Sequence, residues 1–279
     1  MISSIRYLLQ SPYNKQHFGF AMYRFFLWKF IRAFKVKDYQ LSIWNDKKVK
    51  IHYDSVQSMW LMYNYWVDWE EFHLIKDVLK PDDTVFDIGS NIGLYTLWIS
   101  KYVKTGKIHS FEPDTNNHSR FEKNVALNGV QNVVVINKVG VSNNTGTIYL
   151  TQDRDVQNHV VYEKTANSVE INTITLDEYC SKNRVEHIKY LKIDIEGFEM
   201  LAFKGAEKLL KEGRIDIIQL EINNALANSG VTEQELITYL KSFGYYLARY
   251  DIEQKKLERI EFTPERENYF AVREAMTIK

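Results

Sequence analysis

Val85-Phe86-Asp87-Ile88-Gly89-Ser90-Asn91-Ile92-Gly93 is the stretch whose reading decides the fold. Its apolar residues Val85, Phe86 and Ile88 predict a buried strand, the two glycines a tight turn, and Leu94 onward a helix. A strand, glycine turn and helix in that order aim backbone N–H groups at a ligand above the strand end. The spacing is D-x-G-x-x-x-G, not the G-x-G-x-x-G of dinucleotide sites.

Asp87 gives that difference a chemical meaning. A carboxylate beside the turn repels a pyrophosphate and suits a ligand bearing an ammonium group. S-adenosylmethionine carries such a group, together with a carboxylate that suits a helix N-terminus. The turn therefore argues for a methyl donor over NAD.

Working outward, strands are expected at 84–88, 107–111, 133–136, 190–194, 215–222, 245–250 and 269–273, with helices between most of them. Such alternation predicts an α/β fold with a mostly parallel seven-stranded sheet and helices on both faces. Extra strands are expected at 147–150 and 169–173. The polar stretch 151–168 between them lacks periodicity and reads as a candidate substrate lid, because long loops in compact domains usually carry function. The run 253–259 reads as a solvated turn. Residues 1–64 form an aromatic-rich N-terminal extension with a helix and a hairpin, and 65–279 the main domain. Phe18, Met22, Phe25, Phe26, Phe30 and Phe34 fall near helical spacing with basic residues between them. The expected role of this helix is packing on the main domain or on a second copy in a homodimer. Peripheral contact with anionic lipid is the alternative.

The 279 residues carry 36 Lys+Arg and 36 Asp+Glu, and that neutral balance gives no support for a nucleic-acid partner. Cys180 is the only cysteine, which rules out an intrachain disulfide and suits a reducing, cytoplasmic compartment. No secretory leader is recognisable. Arg24, Lys29 and Arg32 interrupt the apolar stretch 18–34, so no transmembrane segment is expected.

Three further acidic signals close predicted strands. Glu112, followed by Pro113, stands 25 positions after Asp87, where an acid suits the hydroxyls of a ribose. Tyr190-Leu191-Lys192-Ile193-Asp194-Ile195-Glu196-Gly197 ends an apolar strand in two carboxylates and a turn glycine. Asp194 and Glu196 are candidate proton acceptors, or first-turn acids of the next helix. Glu221 closes the neighbouring strand, and with Asp194 and Glu196 it makes a candidate ligand set for a divalent metal, although no compact metal motif is visible. His159, in the candidate lid, is a third candidate base, whereas His109 inside a strand reads as structural.

The ordered set D-I-G-S-N-I-G (87–93), F-E-P (111–113), T-L-D (175–177) and K-I-D-I-E-G-F-E (192–199) resembles the FkbM family of class I S-adenosylmethionine-dependent methyltransferases, over roughly residues 65–223. The resemblance implies a Rossmann-like fold, S-adenosylmethionine as donor, and O-methylation of a hydroxyl on a sugar, glycolipid or natural product. It implies that Asp87, Gly89, Ser90, Asn91 and Gly93 surround the methionine part of the donor, that Glu112 and Pro113 meet the ribose, that Val139 and Gly140 lie near adenine, and that Asp194 borders the methyl-transfer site. Ser90 stands where the family often has alanine. Two rival readings share the fold: an NAD-dependent sugar-modifying oxidoreductase or epimerase, and a non-catalytic scaffold with a relic donor pocket.

Overall fold

The computed structural model describes residues 8, 12–66, 68–151, 160–161 and 168–274. Helices Pro12–Gln16 and Phe18–Ala33 lead into a hairpin of β1 (Tyr39–Ile43) and β2 (Lys47–Ile51), followed by helices Val56–Tyr63 and Trp69–Val78. β3 (Thr84–Ile88), β4 (Lys107–Phe111) and β5 (Val134–Asn137) alternate with helices Leu94–Ile99 and Thr115–Asn128. β6 (Gly140–Val141), β7 (Gly146–Thr151), β8 (Val160–Val161) and β9 (Ser168–Ile174) make a small second sheet. Helix Leu176–Asn183, β10 (Ile188–Ile193), helices Glu199–Lys204 and Glu207–Lys211, β11 (Ile215–Glu221), helix Glu233–Ser242, β12 (Tyr245–Asp251), β13 (Lys256–Arg259) and β14 (Asn268–Arg273) complete the chain.

The main sheet has the order β13-β12-β14-β11-β10-β3-β4-β5. β11, β10, β3, β4 and β5 are parallel, whereas β14 runs antiparallel to both β11 and β12. Strand order reverses at β3, with β4 and β5 to one side and β10 and β11 to the other. In an open α/β sheet a crevice forms at the C-terminal ends beside such a switch point. This is the Rossmann-like α/β fold that the sequence leads one to expect.

The sheet has eight strands where seven were expected. Lys256–Arg259, read from sequence as a solvated turn, pairs with β12 in the register Tyr250↔Leu257. Three of its four residues are charged, so an edge strand carries no apolar alternation to betray it.

Alternation along the central strands sends side chains to two separate cores. Val85, Ile108, Val134, Tyr190 and Ile217 join a cluster that includes the N-terminal Phe25, Trp28, Trp44 and Phe72. Phe86, Phe111, Leu191, Ile193 and Ile218 join the cluster on the opposite face. The N-terminal segment is thus a packing layer over one face of the sheet. Trp44 meets Phe72 and Trp98 edge-on at 5.2 Å. Backbone N–H groups of Lys48 and Lys50 donate to Asn128 Oδ1 and Asn124 Oδ1, tying the hairpin to helix Thr115–Asn128. Helix Phe18–Ala33 buries Ala21, Arg24, Phe25, Trp28 and Ile31. Arg24 donates to the carbonyls of Leu61 and Met62, satisfying the C-terminal end of helix Val56–Tyr63. The candidate lid 151–168, apart from Thr151, Val160, Val161 and Ser168, lies outside the described residues. No helix among the described residues is long and apolar enough to cross a membrane.

Candidate active site

A cavity of about 390 Å³ opens at the C-terminal ends of β3, β10 and β11. Its walls come from four places: the glycine turn after β3 with the helix that follows it, the two strand ends with Asp194, Glu196 and Glu221, the start of β14 with Glu267 and Asn268, and the N-terminal layer through Gln57, Trp60 and Asp68.

The turn is built by backbone geometry that few residues adopt. Gly89, Asn91 and Gly93 have φ of 78°, 49° and 90°. A Cβ at Gly89 would run into the Asp194 carbonyl, and one at Gly93 into the Phe121 ring. Glycine is needed at both for conformation and for close approach. The N–H groups of the turn have internal partners. Those of Gly89 and Ser90 donate to Phe111 O, that of Asn91 to Glu112 Oε2 (2.8 Å), and that of Ile92 to Gln57 Oε1 (3.3 Å). Sequence reasoning foresaw N–H groups aimed at a ligand. In the structure a backbone carbonyl accepts from the first two and side-chain oxygens from the other two.

Asp87 lies beneath this turn. It is fully buried and does not line the cavity. Parallel pairing places Gln219, Lys192, Asp87 and Ser110 in one row across β11, β10, β3 and β4. Asp87 Oδ2 accepts from Thr96 Oγ1 (2.6 Å), which also meets Ser110 Oγ (2.7 Å). Asp87 Oδ1 has no hydrogen-bond partner and lies 4.0 Å from Lys192 Nζ. Burial pushes the Asp87 carboxyl above its usual range, with Lys192 and Thr96 acting against that rise.

Lys192 is the residue to which sequence reasoning gave no role. It is buried, donates to Gly89 O (3.1 Å) and Asp194 Oδ2 (3.2 Å), and its ammonium sits 5.2 Å from the centre of the Tyr95 ring. Burial opposes its charge, but Asp194 and Asp87 outweigh that and hold the ammonium above its ordinary value. A signal was present: a lysine in a strand otherwise buried on both faces needs a carboxylate partner, and two named acids flank it.

The carboxylates beyond Lys192 face the cavity. The Asp194 side chain is 42% exposed and ion-paired to Lys192. Glu196 takes a left-handed φ of 56°, and Gly197 follows at 97°, where a Cβ would strike the Ala225 carbonyl. A non-glycine residue in that region is strained by about 1–3 kcal/mol, a cost tolerated most often at functional sites. Burial, with Asp194 and Glu221 nearby, pushes the Glu196 carboxyl up to about 8. Burial and Asp194 push Glu221 up to about 7, although Asn223 donates to it at 2.6 Å. Beside them Glu199 Oε1 accepts from the N–H groups of Ile195 and Gly197, shaping the turn.

Glu112 is buried at the turn, where its two oxygens accept from Asn91 N and Asp114 N. Burial lifts its carboxyl to about 7. Pro113 follows at the end of β4. Val139 and Gly140 lie just past β5, with Gly140 opening the small sheet opposite Thr173. His109 accepts or donates at Tyr179 OH (2.8 Å), and burial lowers it to about 4, as a structural histidine. His159 lies outside the described residues. Asp194, Glu196 and Glu221 share the cavity, yet no group of three or more His, Cys, Asp or Glu among the described residues could hold a metal ion.

The model of the Methyltransferase FkbM domain matches residues 87–247. The chain belongs to the FkbM methyltransferase family. The hexuronic acid methyltransferase AglP of Haloferax volcanii is 25% identical over 179 residues, covering 64% of this chain and 72% of that protein. Methyltransferase 1 of Beauveria bassiana is 25% identical over 150 residues, covering 46% of this chain and 60% of that one. Among solved structures, Methyltransferase FkbM from Methylobacillus flagellatus KT is similar over 69% of this chain and 44% of that chain, with 17% identity and a TM-score of 0.46. The FkbM domain begins at Asp87, so the helix carrying Gln57 and Trp60 lies outside it, yet helps to wall its cavity.

Proposed function

We propose that this FkbM methyltransferase uses S-adenosylmethionine to methylate a hydroxyl of a sugar, glycolipid or natural product. The observation that carries the reading is the charge of the cavity. Among the described residues that line it, Asp68, Asp194, Glu196, Glu221 and Glu267 are acidic and Lys192 is the one cation. That donor set suits a ligand bearing an ammonium and a sulfonium, and repels the pyrophosphate of a dinucleotide. It also disfavours an acceptor anion, so a neutral, hydroxyl-rich acceptor fits better.

In this reading Gly89, Ser90, Asn91 and Gly93 hold the methionine part, Glu112 the ribose, and Val139 with Gly140 the adenine. The Ile92 N–H, which donates to Gln57 Oε1, would be free for the donor carboxylate once the Gln57 side chain moved aside. When bound, the donor supplies an activated methyl group, so the protein's task is to align an acceptor oxygen and remove its proton. Glu196 is the best-suited proton acceptor, because a carboxyl lifted to about 8 is a stronger base than an ordinary one and is partly ionised near neutrality. Asp194, ion-paired to Lys192, positions the acceptor.

Calorimetric titration with S-adenosylmethionine, with NAD as comparator, tests the donor. Binding of the first alone supports the reading, and binding of NAD alone, or of neither, overturns it. Methyl transfer to a panel of neutral glycosides and their uronates, read by mass spectrometry, tests the acceptor. Preference for uronates would refute the charge argument.

A further inference from the structure

Helix Phe18–Ala33 has a second face that the fold does not use. Seven large apolar side chains are exposed among the described residues, and all but Trp60 belong to this helix or its C-cap. Tyr23, Phe26, Phe30 and Phe34 stand at i, i+3, i+7 and i+11, which is one helical stripe, and are 53–69% exposed. Isolated exposed apolar residues are ordinary, but a continuous aromatic stripe marks an interaction surface. The exposed Lys29 stands beside the stripe, about 100° round the helix from its centre, whereas Arg32 falls on the opposite side.

Charge narrows the occupant. Residues 1–37 contain seven Lys and Arg and no Asp or Glu, although the whole chain has formal net charge zero. A second copy of the chain would bring two such acid-free segments together, so like charge opposes a dimer through this face. An anionic lipid surface offers the opposite sign to the basic residues and an apolar layer to the aromatic stripe. We propose that this helix docks flat on an anionic lipid surface, with Tyr23, Phe26, Phe30 and Phe34 entering the interfacial layer and Lys29, Lys35 and Lys37 meeting headgroups.

Docking stands on the helix alone and needs no methyl transfer. A consequence does rest on the methyl-transfer reading. Helix Val56–Tyr63 packs against the docking helix and lines the cavity through Gln57 and Trp60, so the cavity lies one helix away from the lipid. An acceptor carried on a lipid would then be presented beside it.

Vesicle flotation of the full chain tests the proposal. Expected is binding to phosphatidylglycerol-containing vesicles, weakening with salt, and binding to pure phosphatidylcholine that is at least about tenfold weaker. The variant Y23S/F30S/F34S is expected to lose flotation by about tenfold or more while keeping the wild-type melting temperature within a few degrees and donor affinity unchanged, because these side chains are more than half exposed and none lines the cavity. Reversing charge with K29E/K35E is expected to weaken flotation separately. Failure to bind either vesicle, equal binding to both, or a dimer that Y23S/F30S/F34S dissociates would overturn it. Donor titration on the same samples keeps this outcome separate from the fate of the methyl-transfer reading.

Discussion

β3 and β10 lie side by side, and each is an apolar strand with a carboxylate near its C-terminal end, then a turn glycine and a helix; Asp87 is the last residue but one of β3, whereas Asp194 stands just past β10. The two carboxylates meet opposite surroundings. Asp87 points inward along the row Gln219, Lys192, Asp87, Ser110, and is fully buried with Thr96 as its donor. Asp194 emerges at the mouth, with Glu196 beyond it on a strained turn. Lys192 spans both, 4.0 Å from Asp87 Oδ1 and 3.2 Å from Asp194 Oδ2. One acid therefore fixes the cation and the glycine turn, while the other is left able to meet a ligand. The same motif yields scaffold at one strand and chemistry at the next.

The sharpest way to break that comparison is to neutralise each end. Glu196→Gln is expected to lower turnover by about 10²–10⁴-fold, the usual contribution of a general base, with donor affinity nearly unchanged. Wild-type turnover should rise with pH through about 8, because Glu196 must be ionised to accept a proton, and the variant should lose that limb. Turnover that is already flat below pH 7 would move the base elsewhere. Asp87→Ala is expected to act the other way, weakening donor binding and lowering stability by about 1–3 kcal/mol, since it strips a buried hydrogen-bonded group of its partner. Denaturant unfolding and donor titration separate the two, and a variant with normal affinity would remove Asp87 from the donor site.

A gentler test uses proton linkage. Burial raises the carboxyls of Glu112 and Glu199 to about 7, above the ordinary carboxylate range they regain on unfolding. Their contribution to stability is full below that ordinary range and is lost as pH rises through about 7, because the unfolded state ionises first. Glu199→Gln keeps an oxygen for the Ile195 and Gly197 N–H groups and removes the titration. Its melting temperature relative to wild type should therefore climb between pH 5 and pH 9, and a constant difference would mean Glu199 titrates normally. The smallest expected effect is that of Gln57→Ala. It removes only the acceptor at Ile92 N–H, and donor affinity should change by less than about tenfold. A larger loss would make the N-terminal layer part of the donor site.

Much of this was legible in the chain. The glycine turn, the alternation of strands with helices in a mostly parallel sheet and the acids at strand ends follow from apolar runs punctuated by Gly and acidic residues. What stayed hidden depended on register and on distant packing. The depth of Asp87 follows from its row across four strands, which no local window contains. Gln57 reaches Ile92 from a separate helix 35 positions earlier, and spacing carries no sign of that approach. β13 was missed because an edge strand made mostly of charge has no apolar face to repeat.

The shared apolar cluster beneath the N-terminal layer has a consequence for biosynthesis. Phe25, Trp28 and Trp44 leave the ribosome early, yet they share a core with Phe270 and Val272 at the far end of the chain. At roughly 5–20 residues per second, these aromatics wait on the order of ten to fifty seconds for their last partners. A nascent chain halted before β14 should therefore present them to chaperones, whereas the finished one should not.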